Sequence, residues 1–189
     1  MADFSNKVIY QIYPKSFKDS NGDGIGDLRG VAEKLDYLKD LGVDYLWLTP
    51  FFVSPQRDNG YDVADYRNID PMFGTMEDLD NLIAEGEKRN IGLMFDMVFN
   101  HTSTSHEWFR RALAGEKKYQ DYYILRRGAG SAPTNWQSKF GGSAWEYVSS
   151  LGKWYLHLFD VTQADLNWKN PEVREELKEV ISFFGKQKV

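Results

Sequence analysis

Three short apolar runs most constrain what this chain can fold into: VIYQIY (residues 8–13), VDYLWL (43–48) and IGLMFDMVF (91–99). Each is rich in β-branched and aromatic residues, as strands are. Between the first two, Leu28, Val31, Leu35 and Leu38 recur at helical spacing, and Gly42 stands where that helix can end. Between the second and third, Thr75 and Asp78 make a capping box for a helix running to about Lys88, weakened locally by Gly86. Strands with no polar alternation are buried on both faces, so the order strand, helix, strand, helix, strand predicts a parallel sheet covered by helices.

After His101 the pattern breaks. Residues 102–169 carry a short helix near Glu107 to Ala114, a glycine- and tryptophan-rich middle and a strand-like run from Trp154 to Phe159. Asn170 then caps a helix with Pro171 in its first turn and Val173, Leu177, Val180, Ile181 and Phe184 on its apolar face. The expected organisation is a first barrel segment over 1–101, an inserted subdomain over 102–169 and a third barrel helix over 170–189. A closed parallel β/α barrel needs eight strand–helix units and typically ~250 residues. The fold class is therefore α/β, the N-terminal part of a barrel (strands 1–3, helices 1–3) that stays incomplete.

Bulk properties narrow the partners. The net charge is −5 and the two signs are interspersed without a basic stripe, which argues against nucleic acid. No run approaches the roughly 18 apolar residues of a membrane span. The first residues lack the pattern of a secretory signal, and there is no cysteine, which excludes disulfides and thiolate metal sites. A cytoplasmic location is the expectation. Six Trp and eleven Tyr are many for this length, and flat aromatic faces suit sugar rings.

Four stretches carry chemistry. The loop DSNGDGIGD offers oxygens at alternate positions from Asp19, Asn21, Asp23, the Ile25 carbonyl and Asp27, with Gly24 where a calcium loop turns sharply. The twelfth position of that pattern is Gly30 instead of Glu, and a strand precedes the loop, so this is not an EF-hand. The reading is a hard divalent cation, calcium or magnesium, with a structural role. DMVFNH (96–101) places Asp96 inside an apolar run, where a carboxylate needs a partner, and His101 at its end, where barrel sites lie. DNGYD (58–62) forms a turn that can present Asp58 beside Tyr61, and QADLNW (163–168) lies just before the last helix.

Together these stretches, in this order and approximate spacing, resemble the α-amylase family of glycoside hydrolases along essentially the whole chain. The opening VIYQIYPKSFKDSNGDGIGDL and FGGSAW (140–145) are similar to the branch containing oligo-1,6-glucosidases and trehalose-6-phosphate hydrolases. NWQSKFGGSAW with HLFDVTQADLNW looks most like the phosphotrehalase members. The resemblance implies that Asp58, Tyr61 and His101 grip the glucosyl ring, Tyr61 by stacking and His101 by a hydrogen bond. It implies that Asp96 orients an arginine, that Asp19, Asn21, Asp23, Ile25 and Asp27 hold Ca2+ or Mg2+, and that Phe140, Trp145 and Gln163 shape the pocket mouth. The implied chemistry is retaining hydrolysis by an Asp nucleophile and a Glu acid/base about 5 to 5.5 Å apart. Both belong to strands four and five, expected beyond Val189, so no catalytic residue is expected within these 189 positions. The chain alone is expected to be inactive without the rest of its barrel. The expected substrate is an α-glucoside or a phosphorylated disaccharide. An oligo-1,6-glucosidase is the alternative within the class, and a non-catalytic relative or truncated product the alternative outside it. Arg57, beside Asp58, is the one suggestive cation for a phosphate.

Overall fold

A computed structural model describes residues 4–128 and 130–185. Three parts of the expected organisation lie outside the described residues: the start of the first barrel segment (Met1 to Asp3), Ala129 of the inserted subdomain, and the end of the third barrel helix from Lys186 to Val189. The elements in chain order are β1 (Ile9–Ile12), α1 (Pro14–Phe17), α2 (Leu28–Glu33), α3 (Leu35–Asp40), β2 (Tyr45–Leu48), β3 (Phe52–Val53), β4 (Asp65–Ile69), α4 (Met76–Lys88) and β5 (Gly92–Phe95). They continue with β6 (His101–Ser103), α5 (Glu107–Leu113), α6 (Lys117–Gln120), β7 (Leu125–Arg127), β8 (Trp145–Val148), β9 (Lys153–Leu156), β10 (Gln163–Asp165) and α7 (Pro171–Gly185). The chain divides into two compact units. One holds the residues up to Val53, Arg67–Met97 and the chain from Ile181; the other holds Ser54–Tyr66 and Val98–Val180.

The first unit is built on an open parallel sheet, β1-β2-β5, with Ile9 opposite Tyr45 and Tyr45 opposite Gly92. It is a part of a barrel, as expected. Gly92 fits this register because any Cβ there would lie 2.4 Å from the Tyr45 ring. The capping box of α4 is present: Thr75 accepts from the Asp78 N–H, and the Asp78 carboxylate accepts from the Thr75 N–H. Gly86 does not simply weaken this helix. Its missing side chain lets the Ile91 carbonyl approach, since a Cβ would stand 2.9 Å from that oxygen. Leu28, Val31, Leu35, Leu38, Leu46, Leu48, Leu79, Leu82 and Phe184 are buried in this unit's core.

Three expectations change. The helix predicted through Leu28 and Leu38 is two short helices, because the Lys34 N–H bonds the Val31 carbonyl and tightens the chain there. The third strand stops at Phe95 instead of 99. Its neighbour β2 ends at Leu48, before Thr49-Pro50, and the Asp96 N–H to the Leu48 carbonyl is the last rung at 3.3 Å. Ile181 leaves the apolar face of α7 and is exposed, while Val173, Leu177, Val180 and Phe184, at spacings of four, three and four, are buried.

The second unit contains an antiparallel sheet, β7-β9-β8, and an antiparallel ribbon, β6-β10. Its core is aromatic: Phe109 meets Tyr123 and Tyr155 edge-on at 5.0 and 5.1 Å, and Tyr122 is fully buried. Of the six Trp and eleven Tyr, five are core (Tyr66, Tyr122, Tyr123, Trp145 and Tyr155), and the other twelve keep part of their surface exposed. No helix among the described residues is long and apolar enough to cross a membrane.

Candidate functional site

The site grows from the β6-β10 ribbon. His101 does not end the parallel strand; it opens β6, where it stands directly opposite Asp165, with Gln163 opposite Ser103. His101, Gln163 and Asp165 are all buried. The loop from Ser54 to Tyr66 joins the same unit, and its organiser is Asp62, a fully buried carboxylate. Asp62 accepts from the Ser54 hydroxyl (2.9 Å) and from the N–H groups of Arg57 (3.0 Å) and Asp58 (3.1 Å). Asn59 and Gly60 take left-handed backbone at φ 49° and 96°, closing a turn in which the Tyr61 N–H bonds the Asp58 carbonyl at 2.9 Å.

This joins four of the candidate residues in two pairs across long sequence separations. The Gln163 amide donates to the Asp58 carboxylate at 2.8 Å, and its oxygen accepts from the Asp160 N–H at 2.8 Å. His101 Nε2 lies 3.1 Å from the Tyr61 carbonyl, and Nδ1 lies 3.2 Å from the Asn100 amide nitrogen. Both ring nitrogens are engaged. Burial pushes the His101 imidazole below its usual range, opposed by the Tyr61 carbonyl and by the charges of Asp58 and Asp62. The Phe159 ring packs 5.3 Å from the imidazole, and Phe140, 60% exposed, packs 6.3 Å from Phe159. Asp58, Tyr61, His101, Phe140 and Gln163 thereby form one constellation of polar hydrogen-bonding groups beside an aromatic wall. Trp145 does not join it: it is buried with Ala144 and Leu156, and its indole N–H bonds the Thr134 hydroxyl at 2.9 Å. Asp96 lies in the other unit, just past β5 and half-buried.

Two carboxylates of this unit do not stand out in the sequence. Asp62 looks like one more polar residue of a turn. Asp165 sits two residues after Gln163, hence on the same face of a strand, and that spacing is the available signal. Burial pushes the Asp165 carboxyl up to about 6, opposed by hydrogen bonds from the Leu158 N–H and the Asn100 side chain and by the proximity of His157. A cavity of about 690 Å³ opens in this unit, with Asn100, Asp165, Trp136 and Trp168 in its wall; Asp58, His101 and Gln163 are not among its lining residues.

The cation loop folds as a series of side-chain-to-backbone turns. Asp19 accepts from the N–H groups of Asn21, Gly22 and Gly24 at 2.7 to 3.0 Å, which holds its carboxyl below the usual range. Asn21 and Asp23 accept from the N–H groups of Asp23 and Ile25. Asp27 caps α2 through the Gly30 N–H at 2.6 Å and takes the Ser20 hydroxyl at 2.8 Å. The all-oxygen donor set suits a hard cation, although in this arrangement the carboxylates face the loop's own N–H groups. Among the described residues no three acidic or histidine side chains converge as a ligand group.

The model of the alpha-amylase catalytic domain matches residues 11–189. The chain belongs to the α-amylase family. A trehalose-6-phosphate hydrolase of Escherichia coli (strain K12) is 58% identical over 183 residues, covering 96% of this chain and 33% of that protein. An oligo-1,6-glucosidase of Parageobacillus thermoglucosidasius is 55% identical over 179 residues, 94% of this chain and 32% of that protein. The crystal structure of a trehalose-6-phosphate hydrolase of Bacillus licheniformis superposes with a TM-score of 0.94 at 53% identity, covering 97% of this chain and 34% of that one. The chain spans about one third of the length of the α-amylase-family relatives it matches.

Proposed function

We propose that this chain supplies one wall of the sugar site of a retaining α-glucoside hydrolase that splits trehalose 6-phosphate into glucose and glucose 6-phosphate. The observation that carries the reading is the convergence of Asp58 with Gln163 and of His101 with Tyr61, beside Phe159 and Phe140. A glucosyl ring offers hydroxyls for a carboxylate and an imidazole N–H, and a carbon face for an aromatic ring. Asp58 would accept from sugar hydroxyls, with the buried Gln163 amide fixing its orientation. His101 would hydrogen-bond a ring hydroxyl in place of its contact to the Tyr61 carbonyl, and Tyr61 and Phe140 would bound the ring. The nucleophile and the acid/base are assigned beyond Val189, to the segments by which the relatives exceed this chain. The 189 residues alone are expected to give no turnover.

The test is an assay of the longer protein that carries this segment. Release of glucose and glucose 6-phosphate from trehalose 6-phosphate, at a kcat/KM well above that on isomaltose, is the expected result. Cleavage of isomaltose with none of trehalose 6-phosphate would overturn the substrate assignment in favour of an oligo-1,6-glucosidase, a reading favoured by the nearly equal identity to that group.

The same proposal includes Ca2+, or Mg2+, in the loop of Asp19, Asn21, Asp23, the Ile25 carbonyl and Asp27, where it would pin the chain after β1 and take no part in bond breaking. Thermal unfolding in EDTA and in millimolar CaCl2 tests it. A rise of several degrees with the cation, absent in Asp23→Ala, supports the site; equal midpoints in both buffers refute it.

A further inference from the structure

The cavity of about 690 Å³ in the second unit is lined by none of Asp58, Tyr61, His101, Phe140 or Gln163, and its wall is cationic. Arg126, Arg127, Lys153 and Lys169 line it against two carboxylates, Asp121 and Asp165, in a chain whose net charge is −5. Arg126 bonds the Leu125 carbonyl at 3.0 Å and Lys153 bonds the Gln120 side-chain oxygen, both neutral acceptors. Among the described residues no acidic side chain forms an ion pair with any of the four.

The strand register makes this arrangement costly. Arg127 stands directly opposite Lys153 in the β7-β9 ladder. Like charges placed opposite one another across an antiparallel pair repel. Lys153 is half-buried, so water and salt screen that repulsion less than at an open surface. Neutral acceptors do not cancel it, whereas an anion held between the guanidinium and the ammonium does. The guanidinium offers a planar fork that matches a phosphate in two hydrogen bonds, and the ammonium adds a point charge.

The rest of the wall offers flat apolar surface. Trp136, 55% exposed, stacks on Trp145 at 6.5 Å and 27°, which leaves its second face for a ligand. Trp168, 46% exposed, spends its indole N–H on the Phe99 carbonyl at 2.9 Å, so its ring is what remains for contact. The volume is that of a pocket for a small organic molecule, about 300–1,000 Å³, and a bare phosphate would fill little of it.

We infer that this cavity is a second ligand site, separate from the proposed sugar site, and that it takes a phosphorylated sugar. Arg127 and Lys153 hold the phosphate, and Trp136 and Trp168 bound the ring. The anion site stands on the charge and register of the wall. Only the choice of a sugar as the carrier of the phosphate rests on the proposed function, whose substrate and product are of that class.

The test is calorimetric titration of the longer protein that carries this segment with glucose 6-phosphate, glucose, inorganic phosphate and adenosine monophosphate. Asp58→Ala removes the carboxylate of the sugar site and leaves the cavity wall intact, so the second site is read in that background. Glucose 6-phosphate is expected to bind there, more tightly than phosphate or glucose alone. Adding Arg127→Gln should weaken it about tenfold or more, the worth of one charge-assisted hydrogen bond. Adding Trp136→Ala should weaken glucose 6-phosphate and leave inorganic phosphate unchanged. Loss of all glucose 6-phosphate binding in Asp58→Ala, an unchanged affinity in Arg127→Gln, or tighter binding of adenosine monophosphate overturns the inference. Urea unfolding without ligand gives an independent check. Arg127→Gln removes a repulsion, so the midpoint stays or rises; a lower midpoint would mean that the guanidinium is held within the fold, and overturns the inference too. Cleavage of isomaltose with none of trehalose 6-phosphate refutes the proposed substrate and leaves the anion site standing.

Discussion

Gln163→Glu tests the central contact with almost no change in shape. In the wild type the Gln163 amide nitrogen lies 2.8 Å from the Asp58 carboxylate, and its oxygen accepts from the Asp160 N–H at 2.8 Å. The variant keeps the second bond and replaces the first by two facing carboxylate oxygens. Two unit charges about 4 Å apart repel by about 4 kcal/mol at an effective dielectric of about 20. The alternative is to hold one proton between them, so that a carboxylic acid donates where the amide did. Against an unfolded Glu pKa of about 4.3, holding that proton at pH 7 costs about 1.36 × 2.7, or about 3.7 kcal/mol. The two routes cost about the same, and the partial exposure of Asp58 relieves some of either. The expected loss is about 2–4 kcal/mol at pH 7.

The sign of the pH dependence follows. In the variant the folded pair has a pKa above its unfolded value, so the folded state binds more protons and regains stability as pH falls. At pH 5 the holding cost drops to about 1 kcal/mol, and by pH 4 it is near zero. Urea unfolding of wild type and variant at pH 7, 5 and 4 measures this directly. A difference below about 0.5 kcal/mol that does not change with pH would mean that Asp58 and Gln163 are not in contact, and the proposed sugar site would lose its base.

Asp165 gives a related dependence in the wild type: its folded carboxyl, at about 6, lies above the ordinary range, so its contribution is fully present below about pH 4 and is lost as pH rises through 6. Urea titrations should show that loss, on the order of 2–3 kcal/mol, and Asp165→Asn should flatten it. Gly86→Ala should destabilise by about 1–2 kcal/mol, because the overpacking of a Cβ 2.9 Å from the Ile91 carbonyl outweighs the helix-propensity gain of about 1 kcal/mol. A more stable variant would refute that close approach. Thr75→Val should lose about 1 kcal/mol by removing the acceptor for the Asp78 N–H, read as a lower urea midpoint at constant slope.

What the sequence made legible is what depends on neighbours along the chain. The parallel strands showed as apolar runs and the start of α4 as its capping box, because both are local patterns. The length of β5 was not legible, since it is set by where β2 runs out, and neither was the ribbon of β6 and β10, whose strands are three residues each and far apart in sequence. Of the candidate site, the motifs single out Asp58, Tyr61, His101, Phe140 and Gln163, and the structure brings Asp58 to Gln163 and His101 to the Tyr61 carbonyl. Their partners were not legible, because His101 bonds a backbone carbonyl and every residue has one.

Asp58, Asp62 and Asp165 show why naming acidic residues does not assign their work. Asp62 is buried, but three donors of its own loop face it, so its charge is compensated locally and it serves as the loop's anchor. Asp58 is half-buried, with one oxygen held by an amide 105 positions away, an arrangement that fixes a carboxylate's direction and leaves it room for a ligand. Asp165 is buried with fewer donors, and desolvation wins, pushing its carboxyl up to about 6. Such a group is costly to keep charged, and a merely structural position would be filled more cheaply by asparagine. The bond from the Leu158 N–H at 3.0 Å does not offset that cost.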